Sequence, residues 1–366
     1  MAAALDTSFM EATETTPDDR YETIEGHLER DRETVLGLWR GNIGWQDQLD
    51  RMYDVFYLNC PYEKPLLQLL RHRASNEIVG TVGMGARAVL WRGSEQVVGC
   101  ASHFVVRREH RSLKPAVALL RSLLETSLQR FPFVYGMSNE RGGAVCKRAG
   151  LAVPTQLQRH VKPLRYRGYA TRLLPGPLGR LGGSLLDSAL AAGRQLGKPL
   201  RRTGLHAHWS DTIDPRMQQM WERSERGDGF STVRTTSMLR WRFLDLPAID
   251  RRFLLVAPAP GAPLLAWFVC ETNVRAPRFM TVTDAWFAGG AHNADRRAIR
   301  ELGRMGYAAG YDAIEMRLTA APAALGAWRA EGFVTRGQQP FFVHGLDPRE
   351  GDIGTTAHIT DIEQDG

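Results

Sequence analysis

The stretch FVVRREHRSLKPAVALLRSL, residues 104–123, decides how the rest of the chain is read. Phe104, Val105 and Val106 have the aromatic and β-branched character of a strand. Arg107 to Arg111 make a charged corner, and Ser112-Leu113-Lys114-Pro115-Ala116 opens a helix that runs on through Leu119, Leu120 and Leu123. A strand that stops in a basic turn and restarts as a helix aims unsatisfied N–H groups and a positive dipole end at one spot. That spot suits a phosphate, so the stretch predicts an anion-binding corner.

Working outward, residues 21–25 read as a short strand and residues 27–39 and 45–58 as helices, closed by Gly41 and Pro61. Residues 66–72, 77–88 and 95–106 read as a meander of strands separated by turn sequences. After the 112–129 helix come a short strand (131–135), the loop Gly136-Met137-Ser138-Asn139, a short helix from Glu140 to Arg148 and a closing strand (156–164). This order predicts an α+β plan with a mixed, mostly antiparallel sheet flanked by helices, not a doubly wound dinucleotide fold. From His206 the same order of elements recurs, down to a short helix ended by Gly332 and a last strand at 340–343. Two units are therefore expected, 21–164 and 205–345, joined by a basic linker (165–204) and flanked by disordered acidic tails (1–20 and 346–366).

The whole-chain numbers bound the function. With 43% hydrophobic and 24% charged residues in 366, the chain is an ordinary globular one. Its four cysteines are scattered without a Cys-x-x-Cys pair, which fits a reducing cytoplasm and neither a zinc site nor a disulfide framework. The first twenty residues lack the basic and apolar regions of a signal peptide, and no run approaches the ~20 apolar residues that span a bilayer. The tails are acidic, so without them the formal charge rises from +7 to +16. Such a body attracts polyanions, anionic cofactors or an acidic membrane surface. The linker holds eight basic residues between 165 and 202 against Asp187, and residues 184–196 read as a basic amphipathic helix, either packed between the units or in peripheral contact with a membrane. His206 and His208 would share one face of a strand, but without a third ligand no metal is expected.

Together these residues resemble the tandem GCN5-related N-acetyltransferases (GNATs), in particular the two-domain proteins found with polysaccharide biosynthesis genes. Arg111-Ser112-Leu113-Lys114-Pro115-Ala116 stands where that family has its Arg/Gln-x-x-Gly-x-Gly/Ala phosphate loop. YGMSNERGGAVCKRAGL (135–151) is similar to the segment in which a family Asn contacts the cofactor, and Leu239-Arg240-Trp241-Arg242-Phe243 and Ala330-Glu331-Gly332-Phe333 resemble the second unit. The resemblance covers roughly residues 21–345. It implies two GNAT-like domains and acetyl-CoA or another acyl-CoA bound by the first. The backbone of Phe104, Val105 and Val106 would meet the pantetheine arm, and Arg111, Ser112, Leu113, Lys114, Ala116 and Asn139 the rest of the cofactor. Two departures stand out: Lys114-Pro115 replaces a Gly-containing loop centre, and Cys146 replaces the Tyr that follows the Asn by seven residues.

The resemblance also implies the chemistry. Acyl transfer from a thioester to an amine needs a neutral, well-aimed amine, a donor for the developing oxyanion and a proton for the departing thiolate. Cys146 is the candidate acid. His103, whose side chain type titrates near neutrality, and Glu140 are candidate bases. The second unit has no comparable loop, since Ala288-Gly289-Gly290-Ala291-His292 lacks a basic residue before its glycines, and is expected to shape the acceptor pocket. The expected function is an N-acyltransferase, N-acetyl in the first instance, acting on a small-molecule amine or amino sugar, without a nucleic-acid partner. Two other readings stay open: a FemAB-like transferase taking its donor from aminoacyl-tRNA, and a catalytically degenerate GNAT fold used as a binding or scaffold module.

Overall fold

The computed structural model describes residues 18–43, 48–165, 203–246, 250–273, 276–346 and 353–364. Nearly all of the expected linker and most of the N-terminal tail lie outside the described residues, and with them the membrane-contact helix. The first half runs β1 (Tyr21–Glu25), α1 (Arg32–Trp39), α2 (Leu49–Tyr53) continuing into a π-helical turn (Asp54–Leu58), β2 (Leu66–His72), β3 (Glu77–Trp91), β4 (Ser94–Val106), α3 (Leu113–Ser127), β5 (Val134–Met137), α4 (Glu140–Arg148) and β6 (Ala152–Pro163). The second half repeats it: β7 (His206–Ser210), α5 (Pro215–Arg223), a two-residue β8 (Ser231–Thr232), α6 (Thr236–Arg240) with its own π-helical turn (Trp241–Asp245), β9 (Arg252–Ala257), β10 (Ala266–Thr272), β11 (Phe279–Phe287), α7 (Arg296–Ala308), β12 (Ala313–Leu318), α8 (Pro322–Ala330) and β13 (Val334–His344). A last short helix, α9 (Ile353–Thr356), begins the C-terminal segment.

The strands form one sheet in the order β1-β2-β3-β4-β5-β13-β6-β12-β11-β10-β9-β7, with β8 pairing separately with β3. Read from either edge the order is the same plan, an antiparallel meander followed by one parallel pair, β4 with β5 or β11 with β12. The closing strands are exchanged between the halves. β13 pairs with β5 over Phe341↔Met137 to His344↔Val134, and β6 pairs with β12 over Ala313↔Pro163 to Leu318↔Gln158. Two separate sheets were expected; the single sheet arises because each half lends its last strand to the other, and the two lent strands pair antiparallel at the centre.

Side-chain alternation along the strands separates the cores. In the first half Leu66, Leu70 and Val106 point to the side covered by α3 and α4, where Leu119, Leu120 and Leu123 recur at helical spacing. Leu67, Leu69 and Val105 point the other way, against Trp39, Tyr53 and Phe56 of α1 and α2. That second core is continuous with the α5 and α6 side of the other half through Met217, Trp221, Met238 and Trp241. The opposite face of the second half packs under α7 and α8 through Ile299, Leu302 and Trp328.

The C-terminal segment departs most from expectation. Instead of an acidic tail in solvent, residues 353–364 enter the core: Ile353, Ile359, Thr360, Ile362 and Glu363 are all at most 2% exposed. Ile359 forms an antiparallel bridge with Thr319, and Arg242 donates to the carbonyls of Ile362, Asp361 and Gln364. The acids find partners inside. Arg234 and Asp284, both fully buried, pair at 2.9 Å, Thr360 Oγ1 donates to Asp284 at 2.8 Å, and Glu363 accepts from the amides of Thr232 (3.1 Å) and Thr360 (2.7 Å). Asp361 pairs with Arg317 at 3.3 Å. Charge composition alone cannot distinguish such a segment from a solvated one. Among the described residues no helix is long and apolar enough to cross a membrane.

Burial pushes the Glu363 carboxyl up to about 7 against the opposing pull of Arg234, and the Asp361 carboxyl up to about 6 against Arg317. Between the ordinary carboxylate range and pH 7 the folded chain thus holds protons that the unfolded chain has lost, and its stability falls as pH rises through this window. Buried His358, whose proton affinity burial lowers, acts in the opposite sense below pH 6.5. The two are separated by comparing wild type with Glu363→Gln. In thermal melts from pH 5 to 8 the wild type should gain stability relative to the variant as pH falls, with a slope of at most about 1.4 kcal/mol per pH unit. Parallel curves would remove Glu363 as the source.

Candidate functional site

The site begins with a break in β4. Beside β5 it pairs only from Gly99↔Val134 to Ala101↔Gly136, and beyond Ala101 its neighbour on the other side, β3, is its only one in the sheet. At the same place the pairing with β3 slips: Gly83 faces Ser102 and Thr81 faces Val105, so His103 and Phe104 oppose Val82 alone. His103 carries the distortion with φ +53°, a conformation that costs a non-glycine residue roughly 1–3 kcal/mol. The bulge turns the end of β4 away from β5 and opens a gap between them.

Side chains beyond the break still alternate. His103 and Val105 face α1 and α2, whereas Phe104 and Val106 face α3 and α4. Val105 and Val106 are core residues, and Phe104 is partly buried. What these three offer to the gap is a backbone edge without a neighbouring strand on the β5 side.

β4 ends at the anion corner read from the sequence. Ser112 is the N-cap of α3, but its side chain caps nothing, and the first turn holds no acid. The amides of Leu113 and Lys114 precede the first intrahelical bond and Pro115 has none, so two N–H groups and the dipole face outward beside the exposed Lys114 ammonium. Ala116 is buried in the core between α3 and the sheet. Arg111 is engaged locally: Nε donates to the Val106 carbonyl at 2.8 Å, and its other arm reaches Asn42. It braces the end of β4 against the end of α1, and Lys114, exposed at the start of α3, lies within electrostatic range of Asp18.

Across the gap, Asn139 caps α4 and accepts from Gly142 N at 3.0 Å. Cys146 lies in the second turn of this helix, partly buried on the α3–α4 side. Burial pushes its thiol up, only partly offset by Ser138, so it stays protonated at neutral pH. Glu140 opens α4, and its side chain lies outside the described residues.

His103 and Cys146 therefore stand on opposite faces of the sheet with the gap between. The structure surrounds His103 with residues that the sequence offered only as the apolar face of two helices. Its ring lies 4.5 Å from Trp39, 5.4 Å from Phe56 and 5.6 Å from Tyr57, and its Nδ1 is 3.1 Å from the Tyr57 hydroxyl. The signal available was the aromatic run Tyr53, Phe56 and Tyr57 ahead of a strand bearing a histidine.

Among the described residues the second half has no equivalent open gap. β11 leaves β12 after Val282↔Met316, and its pairing with β10 skips Thr283, as β4 slips at His103. This gap is filled by the chain itself: Ile359 bridges to Thr319, His358 Nε2 lies 3.1 Å from the Ala285 carbonyl, and Thr360 reaches Asp284. The Gly289-Gly290 turn packs on the Glu225 carbonyl, and Asp295 caps α7 with a carboxylate that accepts from Arg297 N at 2.7 Å. An anion is repelled there. His206 and His208 do face each other at 5.2 Å, but no group of three metal-ligating side chains occurs among the described residues.

No family model and no curated protein matches the chain. Solved structures do. A GCN5-related N-acetyltransferase from Anabaena variabilis superposes with a TM-score of 0.59 at 10% identity, covering 90% of this chain and 74% of that one. N-myristoyltransferase of Saccharomyces cerevisiae, solved with bound myristoyl-CoA, gives 0.54 at 13% identity over 92% and 83% of the two chains. The glucosamine N-acetyltransferase region of a fungal multi-domain β-N-acetylglucosaminidase gives 0.53 at 8% identity, covering 88% of this chain and 38% of that one. The chain has the GNAT fold.

The bulge also rests on Gly83, since a Cβ there would overlap the Tyr57 hydroxyl and ring edge. Gly83→Ala should cost about 1–3 kcal/mol in denaturant unfolding. A variant as stable as wild type would show that Tyr57 is not held against β3.

Proposed function

We propose that the chain is an acyl-CoA-dependent N-acyltransferase working in a reducing cytoplasm, with its donor site in the first half. The observation that carries this reading is the gap between β4 and β5 that runs into an uncapped, acid-free helix start. Residues and cofactor fit each other. The amides of Leu113 and Lys114, the Ser112 hydroxyl and the Lys114 ammonium would hold the phosphates, with Arg111 bracing the loop and Asn139 at the facing turn. The backbone of Phe104 to Val106 on the β5 side, where Arg111 already engages the Val106 carbonyl, would meet the amide-bearing arm. When bound, the acyl-CoA supplies a thioester carbonyl open to attack by an amine.

The chain's own residues divide the proton handling between the two faces. His103, on the α1–α2 face, takes a proton from the acceptor ammonium. Cys146, kept as a thiol by burial, gives up its proton on the face where the sulfur leaves. The four cysteines are all free, in keeping with a reducing compartment. For the acceptor we propose the amine of a small molecule or amino sugar, a reading supported by the likeness to the glucosamine N-acetyltransferase region. Acetyl is the first acyl group to test and longer chains the second.

Calorimetric titration with acetyl-CoA and longer acyl-CoAs should show one site per chain. Absence of binding at high micromolar ligand would overturn the assignment, and salt-sensitive binding of tRNA in its place would favour the aminoacyl-transferase reading. Lys114→Glu should weaken acyl-CoA binding about tenfold at low salt, and less as salt screens the charge. Cys146→Ala should lower kcat roughly tenfold or more and leave cofactor affinity near wild type.

A further inference from the structure

A second group of polar rings lies beside the anion corner. Tyr21 opens β1 and packs on the core under α3, His72 ends β2, and the register pairs the two directly. His110 comes to them from the turn between β4 and α3. The two imidazoles stand 4.9 Å apart between ring centres, and the Tyr21 ring lies 5.3 Å from His72 and 5.7 Å from His110. All three residues are half-buried, so a ligand reaches them from solvent without disturbing the core.

Each imidazole is braced at one nitrogen. His110 Nδ1 is 3.0 Å from Tyr21 Oη and His72 Nδ1 is 3.0 Å from Ser75 Oγ, whereas Nε2 of either ring makes no hydrogen bond among the described residues. A hydroxyl donates or accepts, so an anion on the Nε2 side selects the tautomer in which both hydroxyls donate to Nδ1 and both Nε2 atoms carry a proton. Two N–H donors on neighbouring rings suit the oxygens of one phosphate group. The charges nearby are largely matched: Asp18 pairs with Arg20 at 2.7 Å, Glu22 with Arg73 at 2.9 Å and Glu77 with Arg107 at 3.6 Å. The turn itself adds one exposed cation, Arg108, and one exposed acid, Glu109. The imidazoles are therefore the groups that favour an anion here.

The place of the cluster decides which phosphate it meets. Ser112 N donates to the His110 carbonyl at 2.8 Å, and the three residues of chain from His110 to Leu113, an amide of the anion corner, span at most about 11 Å. Asp18, just ahead of β1, lies within electrostatic range of Lys114, so the start of β1 and the start of α3 are neighbours. On coenzyme A, the ribose that carries the pyrophosphate at its 5′ oxygen carries a phosphomonoester at its 3′ oxygen. We propose that His72 and His110, braced by Ser75 and Tyr21, bind this 3′-phosphate and so select free acyl-CoA over thioesters of carrier-bound phosphopantetheine, which lack it. The proposal rests on the reading of the first half as the acyl-CoA site, and its test separates the two.

Calorimetry on the full-length protein compares acetyl-CoA with its 3′-dephospho form. Wild type should bind acetyl-CoA about tenfold more tightly. In a double variant, His72→Phe with His110→Phe, the rings stay and their nitrogens go. There the ratio of the two dissociation constants should fall to near unity, with most of the change falling on acetyl-CoA. Tyr21→Phe should bring the ratio down part of the way. Equal affinities in wild type would overturn the proposal and leave the acyl-CoA reading standing. A ratio that survives at about tenfold in the double variant would overturn the assignment to these residues. Should neither compound bind at high micromolar concentration, the acyl-CoA reading falls and the subsite falls with it.

Discussion

A single register slip governs the first half of this molecule. His103 adopts a left-handed backbone conformation opposite Val82, and past Ala101 β4 no longer pairs with β5, so the sheet opens between them. Everything proposed for the site depends on that opening. It exposes a backbone edge, points it at the start of α3, and separates a face bearing an imidazole from a face bearing a thiol. The distortion is costly, and the structure meets the cost with packing: Trp39, Phe56 and Tyr57 hold the ring from above, and Gly83 makes room below.

The two halves show what such an opening becomes when it is not left vacant for a ligand. In the second half the same slip occurs at Thr283, but residues 358–360 enter the gap and satisfy the freed groups with a peptide bridge and side-chain hydrogen bonds. The acid Asp295 at the start of α7 and the turn packed on Glu225 remove the anion corner as well. The asymmetry is chemical and the backbone plan is common to both halves.

Much of this was legible in the sequence, and the parts that were not have specific causes. The element order and the strand-to-helix corner at 104–123 followed from periodicity and from Gly, Pro and Arg placement. Strand exchange left no mark, because β6 and β13 alternate in the same way whichever partner they pair with. The C-terminal segment was misread because Asp361 and Glu363 count as solvated charges until Arg317 and Arg234 are found beside them. Arg111 was expected at the anion itself, but the Val106 carbonyl and Asn42 hold it, contacts that depend on tertiary structure. Tyr57 was hidden among core aromatics, since a phenol is distinguished from a packing residue only by what its hydroxyl meets.

The exchanged strands also dictate the order in which the chain can mature. The slot between β5 and β6 is filled by β13, which ends at His344, so the first half cannot complete its sheet while it is being synthesised. Until the last part of the chain arrives, the edge of β5 stays open to mispairing with other strands. Long-range pairing of this kind makes for slow folding and for one cooperative unit, since neither half contains all of its own sheet. A fragment cut between the halves would leave β5 without β13 and β12 without β6, two incomplete sheets.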